Sequence, residues 1–194
     1  MKIRYIRKRI YVSPEEQEQI RQYRIILGGA GIGSVIAECA LRFGFEQITI
    51  VDGDKVELTN LNRQNFTEND LGRYKSEVLS ERLLQINPNA NIQHHTCFID
   101  SKNVEELVDS HQVEINALDF TSDIPFVFDQ VCRQTNIPVL HPFNISWAGL
   151  VTVIKPDSQP LLLISDNVKG FELRMLEYVT QYLKMWNSPQ KWIE

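Results

Sequence analysis

The 194-residue sequence predicts an α/β chain, with a largely parallel sheet, helices on both faces and an antiparallel C-terminal extension. Three observations carry that prediction. Short β-branched runs recur between helical stretches, which implies right-handed βαβ crossovers. The run YRIIL passes into GGAGIGS and then into an amphipathic stretch, the order strand, glycine-rich turn, helix. Composition is that of an ordinary globular chain, 43% hydrophobic and 23% charged, without low-complexity tracts.

The elements follow in order. Ser13 as N-cap, Pro14 at the first helical position and Glu15 and Glu16 in the first turn predict a helix over 14–23. YRIIL is the first strand, VIAECALRFGF the next helix, and QITIVDGD a strand ending in acids. Residues 73–86 form a helix with Val78, Leu83, Leu84 and Ile86 on one side, stopped by Asn87-Pro88. NIQHHTCFI, VEINAL and IPVLHPF are three further strands, separated by helices over 101–110 and 124–136. AGLVTVIKP and LLLI read as two strands joined by a turn, the antiparallel extension. Phe171, Leu173, Leu176, Val179, Leu183 and Trp186 recur at three- and four-residue steps, a helix over 170–186 that needs a partner surface.

Charge and cysteine usage narrow the function classes. Twenty basic against 25 acidic residues leave a net charge of −5, which argues against a nucleic-acid groove. Cys39, Cys97 and Cys132 are odd in number, widely spaced and set in apolar runs, so they read as reduced core residues. The N-terminus has no apolar signal region, and no run of roughly 18 apolar residues offers a membrane span. A cytoplasmic protein is expected.

The turn carries the first chemistry. Gly28, Ala30, Gly31 and Gly33 let the backbone approach a phosphate, and the helix that follows offers unpaired N–H groups and partial positive charge. Asp52, 19 residues after Gly33 at the end of the next strand, is the candidate ribose ligand. Ala30 occupies the second glycine position of the dinucleotide pattern. The turn by itself therefore leaves open an unliganded tight turn or an oxidoreductase using NAD(P) or FAD.

After that strand comes VDGDKVELTNLNRQNFTENDLGRYKSE. A dinucleotide dehydrogenase has no physical need for Asn60, Arg63, Gln64 and Lys75 there, whereas a carboxylate attacking a nucleotide α-phosphate needs cations around the triphosphate. The chain carries Asp52-Gly53-Asp54 with Val56, Asn60-Leu61-Asn62-Arg63-Gln64, Gly72 with Lys75, Ile86-Asn87-Pro88, and the entry segment Arg4-Tyr5-Ile6-Arg7. In these motifs it resembles the ThiF/MoeB/HesA branch of the ubiquitin-activating-enzyme superfamily, over roughly residues 1–155. Residues 156–194 are then a C-terminal extension with a helix, whose end reads as natural or as truncated.

That resemblance implies a Rossmann-like fold and an ATP-dependent adenylyltransferase. With ATP and Mg²⁺ such an enzyme activates the C-terminal glycine carboxylate of a ubiquitin-like or sulfur-carrier protein or peptide. The resemblance places Asp52 on the ribose hydroxyls and Asn60, Arg63 and Gln64 along the triphosphate. Arg63 would stabilise the departing pyrophosphate, Lys75 would hold the phosphates at the point of attack, and Asp119 would bind Mg²⁺. Arg7 would reach the γ-phosphate of a neighbouring subunit, which requires a homodimer. Around the magnesium position Asn116 replaces an acid and Phe120 an Asn. No cysteine follows Cys132, so neither a structural zinc nor a thiol that captures the activated partner is predicted.

Taken singly, Arg7, Arg63 and Lys75 also read as solvated residues, Arg7 on an exposed basic strand, and Asp119 as the cap of a helix beginning near Ser122. His94, His95, His111 and His141 read as surface or core packing. Asn144 to Trp147 reads as packing or as a substrate entrance. Beside the adenylyltransferase stand a variant acting on a carboxylate of a modified tRNA base, which the acidic charge opposes, the NAD(P)/FAD oxidoreductase, and a nucleotide-binding partner subunit without catalysis.

Overall fold

A computed structural model describes residues 3–145, 148–165 and 167–188. A 3₁₀ turn over Ile3–Lys8 leads into α1 (Pro14–Gln22), where both bonds of a capping box form. The Glu16 amide donates to Ser13 Oγ at 3.1 Å, and the Ser13 amide donates to the Glu16 carboxylate at 2.8 Å. Then come β1 (Arg24–Gly28), α2 (Gly33–Phe43), β2 (Gln47–Val51), α3 (Lys75–Ile86) and β3 (Asn91–His95). The second half runs α4 (Val104–Val108), β4 (Val113–Asn116), α5 (Ile124–Gln134), β5 (Val139–Ile145), β6 (Ala148–Ile154) and α6 (Phe171–Met185).

The strands form a sheet in the order β3-β2-β1-β4-β5-β6. From β3 through β5 every neighbouring pair is parallel, and β6 returns antiparallel to β5. This is a Rossmann-like doubly wound sheet. From β1 the chain goes first to β2 on one side and later to β4 on the other, so a crevice opens where the carboxyl ends of β1 and β4 diverge.

Alternation along the strands sorts the core into two layers. Ile25, Leu27, Ile48 and Ile50 pack with Ala37 and Leu41 of α2 and with Leu79 and Leu83 of α3. Ile26 and Val51 face the other way and join Val104 of α4, Phe126 and Phe128 of α5, and Phe171 and Met175 of α6. Phe171 is fully buried, with its ring stacked 4.3 Å from that of Phe120. Burying one such side chain contributes about 2–3 kcal/mol, which is the anchorage α6 needs.

Several expectations are corrected. Leu161–Leu163 is a 3₁₀ turn, not a strand, and the antiparallel extension is the β5–β6 pair; Leu161 is buried while Leu163 is exposed. The segment around Arg7 is a 3₁₀ turn, not a strand. On α3 the buried face uses Val78, Leu79 and Leu83, and Leu84 is exposed. On α6, Leu173 (66% exposed) and Trp186 (64%) lie off the face that carries Phe171 and Met175. Cys39 is exposed, in contrast to buried Cys132, because its α2 position faces solvent. Trp147 lies outside the described residues. Among the described residues no helix is long and apolar enough to cross a membrane.

Candidate functional site

The turn after β1 is shaped by close approach to β4. Gly29 has φ +92°, and a Cβ there would lie 2.5 Å from the Ala117 carbonyl oxygen, so only glycine fits. Gly31 faces the crevice. Gly28, Ala30 and Gly33 are buried and shape the turn from behind. Ser34 then ties the turn to a distant loop: its Oγ donates to the Gly31 carbonyl at 2.7 Å and accepts the Asn65 amide at 3.0 Å.

Asp52 holds the same turn from β2. One carboxylate oxygen accepts the Ala30 amide at 2.6 Å and the other the Asp54 amide at 2.7 Å. Burial pushes its carboxyl above the ordinary value, and these two amides oppose that shift. The chain is then drawn onto α3. Lys75 N donates to the Asp54 carbonyl at 2.9 Å, Ser76 Oγ to the Asp52 carbonyl at 2.9 Å, and Lys75 Nζ to Asp54 Oδ2 at 3.0 Å. Lys75 is buried, not a solvated helix residue.

Asn60 is also buried, and its role is to fold the loop. Its side chain accepts the Glu57 amide at 2.9 Å, and its carbonyl accepts the Arg63 and Gln64 amides at 3.1 and 2.9 Å. That geometry projects Arg63 and Gln64 toward the crevice, which Asn60 itself does not line. Arg63 is exposed, with Nη1 donating to Thr59 O and Asn62 Oδ1, each at 3.1 Å. Gln64 Oε1 is buried with no hydrogen-bond partner among the described residues.

Behind this loop sits Glu38 of α2. It accepts Asn65 Nδ2 at 2.6 Å, Arg82 Nε of α3 at 2.7 Å and Arg42 Nε at 2.9 Å. Burial would raise the Glu38 carboxyl, but the hydrogen bonds from Arg82, Asn65 and Arg42 outweigh it and hold it at about 2.

Asp119 stands on the turn after β4. Asn116, the last residue of β4, donates through Nδ2 to the Pro125 carbonyl at 2.9 Å and to Asp129 at 3.0 Å, and its Oδ1 lies 3.4 Å from the Leu118 amide. Asp129 in turn lies 2.8 and 2.9 Å from Nε2 of buried His141. Asp119 itself is exposed and makes no hydrogen bond or ion pair with the described residues. It does not cap α5, whose N-cap position is Asp123.

These residues converge on one cavity of about 1410 Å³. Gly31, Asp52, Asp54, Arg63, Gln64, Lys75 and Asp119 line one part of it, and Phe120, Phe143, Leu150 and Met175 line another. The polar part joins two cations, Arg63 and Lys75, to a backbone turn with room for close approach. Of its acids, Asp52 is held by two amides, Asp54 is paired with Lys75 and Asp119 has no partner among the described residues, so the cations and the turn could together receive a polyanion. A cavity carboxylate such as Asp119 also suits Mg²⁺, which binds through one or two carboxylates together with phosphates; Glu172 of α6 lines the same cavity. No group of three or more His, Cys, Asp or Glu residues placed to hold a metal occurs among the described residues.

Arg7 is absent from this cavity. The arm is fixed by its neighbours: Tyr5 OH donates to Glu46 at 2.9 Å, Arg4 Nη1 to the Ile86 carbonyl at 2.7 Å, and Lys8 Nζ lies 4.1 Å from the Phe43 ring centroid. Arg7 is left exposed. Sequence reasoning missed Ser34, Glu38, Asn65, Arg82, Asp129 and the pairing of Asp54 with Lys75. Glu38 and Arg42 at a four-residue step on α2 were the one local signal for that framework.

The protein-family model described as the ThiF family matches residues 5–174. Over 148 residues the chain is 30% identical to the SAMP-activating enzyme E1 of Haloferax volcanii, a match covering 75% of this chain and 54% of that protein. It is 28% identical over 165 residues to the sulfur carrier protein ThiS adenylyltransferase of Bacillus subtilis, covering 82% and 49%. Among solved structures, that of E. coli tRNA N6-threonylcarbamoyladenosine dehydratase in complex with ATP matches with a TM-score of 0.68 and 28% identity, over 71% of this chain and 58% of that one. The chain spans about half the length of the curated relatives it matches.

Proposed function

The chain belongs to the ThiF family, and from that premise we propose that it is an ATP-dependent adenylyltransferase activating the C-terminal carboxylate of a ubiquitin-like or sulfur-carrier protein or peptide. The observation that carries the reading is a buried Lys75 sharing a cavity with Arg63, Gln64 and Asp119 at the mouth of the glycine turn. A dinucleotide oxidoreductase would use the turn and Asp52 and leave those four residues without a task.

In this reading the carboxylate attacks the α-phosphorus, a carboxyl–phosphate bond forms, and the bond to pyrophosphate breaks. Catalysis is by positioning and charge stabilisation, with no protein nucleophile. Lys75 and Arg63 hold the phosphates and meet the charge that grows on pyrophosphate. Gln64 offers its amide beside Gly31, and Asp52, with two amides already bound, accepts from the ribose hydroxyls. Asp119 would hold Mg²⁺, which when bound neutralises phosphate charge. Arg7, exposed and outside its own chain's cavity, would complete the site of a second subunit in a homodimer. The cytoplasm, where cysteines stay reduced, is the setting this chemistry implies.

The aromatic and aliphatic part of the cavity, from Phe120 to Met175, favours a peptide tail as the second substrate. A second reading, activation of a carboxylate on a tRNA base, has the structural similarity to the dehydratase in its favour and the net charge of −5 against it. Exchange of radiolabelled pyrophosphate into ATP tests the proposal, with candidate carrier proteins, peptides and tRNA supplied in turn. Exchange dependent on a protein or peptide tail is expected. Exchange dependent on tRNA selects the second reading, and a melting temperature raised equally by NAD would sink both.

A further inference from the structure

Lys75 opens α3 with its side chain 8% exposed, and its ammonium has Asp54 as its hydrogen-bonded anion at 3.0 Å. A buried ammonium with no counter-charge is costly, so in the ligand-free protein something must occupy that place. The two neighbouring acids differ in their freedom to do so. Asp52 is pinned by two backbone amides and serves the turn. The Asp54 side chain is 56% exposed and bonds to no other described residue, so it can rotate into solvent and leave nothing else unpaired.

We infer that Asp54 is a stand-in anion, which holds the Lys75 ammonium in the cavity until a polyphosphate takes its place. The inference rests on the nucleotide reading above and adds a step to it. Leaving Asp54 on Lys75 while a triphosphate binds would set like charges side by side in a partly desolvated cavity. Exchange removes that repulsion and keeps the ammonium paired in both states. Lys75 is thereby kept extended toward the ligand before binding, at some expense of affinity. A ligand without the polyanion, such as the bare nucleoside, has nothing with which to displace Asp54, so the device favours polyphosphates.

Calorimetric titration in EDTA with inorganic tripolyphosphate, ATP and adenosine tests this on the full chain. Asp54→Asn and Asp54→Ser are expected to bind tripolyphosphate and ATP about tenfold tighter, about 1.4 kcal/mol, and adenosine within about twofold of the original protein. Asp54→Glu should restore the original affinities. In a Lys75→Met background, removing Asp54 should change tripolyphosphate binding by less than about twofold, because no ammonium remains to be released. Unchanged or weaker tripolyphosphate binding in variants with a native near-ultraviolet circular dichroism spectrum overturns the inference. Equal tightening in the Lys75→Met background, or no binding by the original protein, does so as well. Tighter binding without any pyrophosphate exchange would leave the stand-in role standing and remove the adenylyltransferase reading. Normal exchange without tighter binding would do the reverse.

Discussion

The Asp52 carboxylate binds the Ala30 amide at 2.6 Å, so an acid at the end of β2 fixes the turn that follows β1. Its second oxygen takes the Asp54 amide at 2.7 Å. Asp52→Asn keeps the shape but sets an amide N–H₂ against one of these donors. An unpaired donor of this kind costs about 1–3 kcal/mol. Urea unfolding should show that loss in the ligand-free protein; an unchanged midpoint and slope would mean that the clamp contributes nothing.

Glu38 gives the fold a pH dependence of known sign. Its carboxyl is held at about 2 in the folded chain against an ordinary 4.5, so the folded state favours the ionised form. The stabilisation is complete above the unfolded value and fades as pH falls from about 4.5 toward 2. With the side chain 15% exposed, and allowing for solvent screening, it is of order 2 kcal/mol. Compared with Glu38→Gln, the protein should be more stable by about that amount at neutral pH, and the gap should narrow below pH 4. A gap that does not change with pH would remove the ion-pair network as its cause.

Asp119→Asn separates site from scaffold. The side chain is exposed, unpartnered and not a helix cap, so the melting temperature of the free protein should stay the same. Pyrophosphate exchange should fall at least roughly tenfold, about 1.4 kcal/mol of transition-state stabilisation. A destabilised variant with full exchange per folded molecule would take Asp119 out of the site.

Mixing variants tests the role of Arg7 across subunits. Arg7→Ala and Lys75→Ala proteins should each lack exchange activity. In a re-equilibrated equal mixture about half the dimers are mixed, each with one of its two sites intact, so about a quarter of the original activity should return. Elution as a monomer at micromolar concentration, or no recovery on mixing, would assign Arg7 no part in a neighbouring site.

Much of this was legible in the sequence, for local reasons. Short apolar, β-branched runs mark β1 through β5 and apolar residues at helical spacing mark the helices, while Ser13, Pro14 and Glu16 announce α1 in four residues. That Asp52, Arg63, Gln64, Lys75 and Asp119 line one cavity was legible because a doubly wound sheet opens its crevice at the strand carboxyl ends, where the glycine turn, Asp52 and Asp119 lie close to their strands. Where a short apolar run carried no period the sequence misled: LLLI is a 3₁₀ turn that buries Leu161 and leaves Leu163 exposed, and β6 takes β5 as its antiparallel partner.

By itself, then, the sequence determined the order of elements, the crevice and the residue types brought to it, since these follow from periodicity, turn chemistry and topology. Only the tertiary structure decided how those residues are held. It set Lys75 against Asp54, put both Asp52 oxygens on backbone amides, turned Asn60 into the brace of the Arg63 loop, and placed Glu38 between Arg42, Arg82 and Asn65. The physical reason is desolvation. A charge or amide taken out of water must find its partner in space, and partners such as Glu38 and Arg82, 44 residues apart, share no local pattern.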